Sequence, residues 1–158
     1  MAVDSKQRVY LAVVGAGNTS PDIYEMAMNV GKEAALRGWV VVTGGLGGVM
    51  EAAAKGAREA GGLSLGILPG GDRNEANPYI DIPIVTGMGE ARNLTVIRSS
   101  DAVIALPGKY GTLSELSFAL KLEKPVVGIS TWDISERVAK TKDPKEAVKL
   151  ALDSIEQK

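Results

Sequence analysis

The chain has 158 residues, enough for one domain with a sizeable core, and its 45% hydrophobic and 23% charged content is that of an ordinary globular protein. A net charge of −1 offers no general basic grip for nucleic acid. There is no cysteine and no histidine, which excludes disulfides, thiolate nucleophiles, Ser-His-Asp triads and the commonest zinc ligands, and leaves acid–base chemistry to carboxylates, lysine, tyrosine or bound water.

Residues 1–7 are polar and are expected to be loose, without the basic-then-apolar pattern of a secretory leader. Val9 to Val14 is a near-continuous apolar run, the mark of a strand buried on both faces. After the turn Gly15 to Thr19, Ser20 caps a helix with Pro21 at its first position, and apolar residues keep a helical period to the stop at Gly38. Trp39 to Thr43 reads as the second strand, Val49 to Ala60 as an alanine-rich helix, and Leu63 to Leu68 as the third strand. Whether that alanine-rich helix packs within one subunit or between two is open. Pro69 to Tyr79 is a polar loop long enough to suggest a role at a site. Ile82 to Val85 reads as a fourth strand, Glu90 to Ser100 as a helix, Ala102 to Leu106 as a fifth strand and Thr112 to Leu122 as a helix. Val126 to Ile129 is a sixth strand, and Asp143-Pro144 caps a last helix reaching Ile155. No apolar stretch nears the roughly 20 residues of a membrane span, so the expectation is a soluble cytoplasmic protein.

Strands alternating with helices imply one α/β domain over residues 1–158. The expected fold is Rossmann-like and doubly wound: a mostly parallel sheet of about six strands, order 3-2-1-4-5-6, with helices on both faces. Ligands then bind at the carboxyl edge, where the loops after strands one, two and five meet.

Three glycine-rich turns join strand to helix there, and each has two readings. Gly15-Ala16-Gly17-Asn18 starts like a dinucleotide fingerprint, but Ser20 stands where the third glycine belongs and Thr43 where a ribose-binding acid is needed, so NAD is not expected. Gly17 and Asn18 are either part of a tight capped turn or ligand contacts. Gly44-Gly45-Leu46-Gly47-Gly48 is either close helix–strand packing or a phosphate cradle. In Pro107-Gly108-Lys109-Tyr110-Gly111-Thr112-Leu113-Ser114-Glu115, the residues Thr112 and Glu115 fit a capping box, or Glu115 is a carboxylate poised over the ligand. Arg92, at the mouth of the edge, could fork onto a phosphate; Arg98 shares its helix, and Arg73 and Lys109 are further cations. Trp132 either packs or stacks on a flat ring.

These residues carry a resemblance. Gly44 to Ala53, Ala91-Arg92-Asn93, and Ser100 to Val103 running into Pro107 to Glu115 resemble the superfamily of the Lonely Guy cytokinin-activating phosphoribohydrolases, long mislabelled as lysine decarboxylases. The chain looks most like its molybdenum cofactor carrier branch, some of whose members carry a DNA-processing-protein-related label. The likeness runs from Val9 to about Ile129. Of the pattern P-G-G-x-G-T-x-x-E, Pro107, Gly108, Gly111, Thr112 and Glu115 match, with Lys109 at the second glycine. Arg92 and Glu115 fall on the catalytic pair that such enzymes use to cleave an N-glycosidic bond. The enzymes' Met-His-x-Arg-Lys is here Met88-Gly89-Glu90-Ala91-Arg92-Asn93, without the histidine and the second basic residue.

The resemblance implies a carrier for a phosphate-bearing heterocycle, foremost the molybdenum cofactor, handed on to molybdenum enzymes. The alternatives are a phosphoribohydrolase of AMP or a related nucleotide, with Arg92 and Glu115 catalytic, or a nucleic-acid module, against which the net charge counts. The expected ligand set is Gly15, Gly17, Asn18, Gly44, Gly45, Gly47, Gly48, Arg92, Asn93, Pro107, Gly108, Lys109, Tyr110, Gly111, Thr112 and Glu115, with no protein-bound metal. A homodimer or higher assembly through the helices at 90–100 and 112–122 is implied as well. No motif for pyridoxal phosphate supports a decarboxylase.

Overall fold

A computed structural model describes residues 7–158; the expectation of a loose stretch over residues 1–7 lies, Gln7 apart, outside the described residues. Seven parallel strands form one sheet: β1 (Tyr10–Val14), β2 (Val40–Thr43), β3 (Leu63–Leu68), β4 (Ile82–Val85), β5 (Ala102–Ala105), β6 (Val126–Ile129) and β7 (Val138–Thr141). Five helices connect or follow them: α1 (Pro21–Leu36), α2 (Val49–Glu59), α3 (Arg92–Arg98), α4 (Tyr110–Lys121) and α5 (Pro144–Glu156).

The pleat sorts each strand between two cores. Leu11 and Val13 of β1 face α1, α2 and α5, together with Val41, Ile104 and Val127. Ala12 and Val14 face α3 and α4, together with Val42, Val103 and Leu116. Burial on both sides is why the central strands read as unbroken apolar runs. The alanine-rich α2 packs on α1 within the chain. A Cβ on Gly56 would strike the carbonyl oxygen of Met28 at 1.8 Å, so at that position only glycine allows the approach.

The caps expected at Ser20 and Asp143 form. Ser20 Oγ accepts from the Ile23 N–H at 3.4 Å, and Asp143 Oδ1 accepts from the Lys145 N–H at 3.1 Å.

The strand order is β4-β3-β2-β1-β5-β6-β7, which corrects the expected one in two places. The strand at 82–85 does not insert beside β1; it pairs with β3 at the sheet's edge, Leu65 opposite Ile82. The loop before it explains this. Asn77 is tied to the second turn by its N–H to the Gly45 oxygen at 2.9 Å, and Asp81 accepts from the Ser64 N–H at 2.9 Å. The chain is thus held against β3 as β4 begins. The second correction is β7, an added edge strand with only Val138 buried. Short, charged and one-sided, it carries little of the apolar pattern that marks a strand.

This order moves the switch point, where neighbouring strands lead their crossovers to opposite faces, to the seam between β1 and β5.

Candidate functional site

A cleft of about 300 Å³ opens at that seam. The turn after β1 forms one wall with Gly15, Ala16, Gly17 and Asn18, and the third turn and start of α4 form the other with Lys109, Gly111, Thr112 and Glu115. Arg92 and Asn93 at the start of α3 and Met50 of α2 close it. Nine expected residues therefore meet: Gly15, Gly17, Asn18, Arg92, Asn93, Lys109, Gly111, Thr112 and Glu115. Ala16 and Met50 were missed. Ala16 carried a signal, lying between two expected glycines; Met50 enters from α2 only through the tertiary fold.

Backbone contacts hold the turns in register. The Ala16 N–H donates to the Pro107 oxygen at 3.0 Å, and the Ala16 oxygen accepts from the Val49 N–H at 3.0 Å. One residue of the first turn thus bridges to both others.

Gly44, Gly45, Gly47 and Gly48 do not line the cleft. Their turn belongs to β2, one strand away from the switch point, and it closes on the protein. Gly48 has φ +64°, and a side chain there would lie 2.2 Å from the Ala16 oxygen. Thr43 Oγ1 accepts from the Gly45 N–H at 3.0 Å, and Asn77 Nδ2 donates to the Leu46 oxygen at 2.8 Å. The long loop therefore braces this turn, and none of it reaches the cleft; Arg73 is exposed on it, and Arg98 is exposed at the end of α3.

Pro107, Gly108 and Tyr110 also stay outside the cleft. A side chain on Gly108 would meet Thr112 Oγ1 at 1.9 Å, which shows how tightly the turn folds onto α4. Trp132 Nε1 donates to the carbonyl oxygens of Gly108 and Lys109 at 3.0 and 3.2 Å, and the exposed Tyr110 stacks on its ring at 6.2 Å between centroids. Trp132 thus clamps the third turn.

The capping-box reading of Thr112 and Glu115 is corrected. α4 begins three residues earlier than the Thr112 cap requires: Tyr110 is its first residue and Lys109 its cap, without a side-chain cap bond. Glu115 is left inside the helix as a buried carboxyl, 7% exposed. Burial pushes it up to about 7, against the opposing pull of the Arg92 charge. Arg92 is 8% exposed; burial lowers its pKa, while Glu115 and Glu90 raise it. Its Nη1 donates to Asn93 Oδ1 and its Nη2 to the Gly44 oxygen at 3.4 Å, while Nε is buried without a partner. The absence of a side chain at Gly44 makes room for this guanidinium, since a Cβ there would lie 2.6 Å from Nη2. The second turn serves the cleft indirectly.

The cleft thus combines a buried arginine with an unused donor, a carboxyl near its midpoint at neutral pH, and an exposed lysine. Such a set can take an oxyanion and stabilise or transfer charge beside it. Among the described residues, no three His, Cys, Asp or Glu side chains gather as a metal set. No helix among them is long and apolar enough to cross a membrane.

The molybdenum cofactor binding protein of Rippkaea orientalis superposes with a TM-score of 0.90 at 37% identity, covering 96% of this chain and 99% of that one. A protein of Archaeoglobus fulgidus is 43% identical over 91% of this chain and 95% of its own length. The cytokinin riboside 5′-monophosphate phosphoribohydrolase of Mycobacterium tuberculosis is 37% identical over 74% of this chain and 67% of its own. The sequence profile of the SLOG cluster4 family matches residues 8–157, and the chain belongs to that family.

Proposed function

We propose that the chain is a binding protein for a phosphate-bearing heterocycle, foremost the molybdenum cofactor, which it holds and hands to molybdenum enzymes. The observation that carries this reading is the unsaturated Arg92 at the switch-point cleft. Its Nε lacks a partner, and an unpaired buried donor is costly. An oxyanion in the cleft meets the guanidinium itself, since Arg92 lines the cleft. The backbone of Gly15 to Asn18 and the start of α4 would face the phosphate, with Lys109 adding charge from solvent. The near-full-length likeness to a molybdenum cofactor binding protein supports the choice of cargo. A cytoplasmic setting and a homodimer through α3 and α4 belong to the same proposal, the dimer being checked by sedimentation.

One observation favours a second reading, hydrolysis of a nucleoside 5′-monophosphate. Arg92 and Glu115 share the cleft, and the charge on Arg92 acts on the Glu115 carboxyl. A carboxylate there would stabilise the oxocarbenium-like state as the N-glycosidic bond breaks; water adds at the sugar carbon, and base and ribose 5-phosphate separate.

Metal-free protein incubated with AMP separates the two readings. A carrier yields no adenine by chromatography and binds molybdenum cofactor saturably, with Arg92→Ala weakening binding about 100-fold. Adenine formed by the parent protein and absent with Glu115→Ala overturns the carrier reading.

A further inference from the structure

A second cavity adjoins the cleft through Trp132. It lies where β6 and β7 end, at the same carboxyl edge of the sheet, and its volume of about 410 Å³ exceeds that of the cleft. Gly128 lines it. A Cβ there would press to 3.0 Å from Thr131 Cγ2 and 3.2 Å from Val138 Cγ1, so a side chain at this position would crowd the cavity wall. Trp132 supplies an aromatic wall whose orientation is set from outside, because its N–H is committed to the Gly108 and Lys109 oxygens.

Charge at this cavity is net positive. Lys140 pairs with Asp133 at 2.5 Å, and Lys142 forms no salt bridge among the described residues. The Thr131 hydroxyl is buried with no hydrogen-bond partner. An oriented indole beside an unpaired ammonium suits one kind of guest, a flat ring carrying an oxyanion.

We propose that this cavity is a second small-molecule site, taking a planar aromatic anion with its ring against Trp132 and its phosphate or carboxylate on Lys142. The site stands apart from the reading of the cleft and does not rest on it. It is linked to the cleft, because an occupant that moves the indole moves the carbonyls of the turn that forms the cleft wall. Such linkage is reciprocal: each guest changes the affinity of the other by the same factor.

The probe is 1-naphthyl phosphate, titrated into the full chain and followed by ¹H–¹⁵N spectra. The chain has two tryptophans, and the buried Trp39 is the internal control. The Trp132 indole N–H shifts saturably while that of Trp39 stays. Lys142→Glu weakens the Trp132 isotherm about tenfold, the loss of one charge-assisted hydrogen bond. Gly128→Val abolishes it by filling the cavity. In both variants the probe-free amide positions of Gly17 and Ala53, remote from this cavity, match those of the parent and report the intact fold. A Trp132 signal that does not move, or that moves with the parental isotherm in both variants, overturns the proposal.

Discussion

The turns after β2 and β5 are written alike, glycine-rich and set between an apolar strand and a helix, yet they do opposite things. The first presses on the protein: Gly48 against the Ala16 oxygen, and Gly44 against the Arg92 guanidinium. The second also packs tightly at Gly108, against Thr112, but it opens Lys109, Gly111 and Thr112 to the cleft. Glycine density reports that something approaches the backbone closely, not what approaches. The sheet decides that. β5 borders the switch point between β1 and β5, and β2 does not.

The comparison breaks most visibly by adding one methyl group to each turn. Gly48→Ala combines a left-handed φ with a 2.2 Å collision against backbone, and is expected to cost about 3 kcal/mol or more in urea unfolding. Gly111→Ala has nothing nearer than Asn93 Nδ2 at 4.0 Å and should stay within about 0.5 kcal/mol, while narrowing the cleft and weakening anion binding. Equal losses in the two variants would refute the distinction.

Glu115 sharpens the contrast, since only the turn that opens to the cleft carries a buried carboxyl. It titrates at about 7 in the folded chain against an ordinary 4.5. Between those values the folded state binds the extra proton, so stability falls as pH rises from about 4.5 and the loss is complete above about 7, amounting to roughly 3 kcal/mol. Glu115→Gln is therefore expected to be more stable than the parent at pH 8, with the gap closing by pH 4.5. The same titration makes anion affinity fall as pH rises through 7, because a charged Glu115 repels the guest. An affinity flat from pH 6 to 8 would remove Glu115 from the binding site.

A smaller effect tests the clamp on the third turn. Trp132→Phe keeps a ring but loses the donor to Gly108 and Lys109, and should cost about 1 kcal/mol. The amide of Gly111 should exchange faster in this variant while that of Gly47 is unchanged; equal acceleration at both would show a general loosening.

Much of this was legible in residue order. Leu11-Ala12-Val13-Val14 reads as a central strand because both faces are buried, and Ser20-Pro21 reads as a helix start because the cap is local. β7 was not legible, as its single buried residue leaves no pattern to read. At the cleft, Arg92 and Glu115 could be named from their motifs. The capping reading of Glu115 failed because Thr112 is a good cap by composition, while the fold starts α4 two residues before it.

Residue order alone therefore determined most of the elements that depend on near neighbours: six of the seven strands, the five helices, the caps at Ser20 and Asp143, and the three turns. It also bounded the chemistry by omitting histidine and cysteine. Only the tertiary structure decided where β4 pairs, which turns line the cleft, and that a buried carboxyl and a buried arginine 23 positions apart meet there. Those outcomes rest on strand order and on the desolvation it imposes. Both are sums over distant contacts that no local stretch of sequence contains.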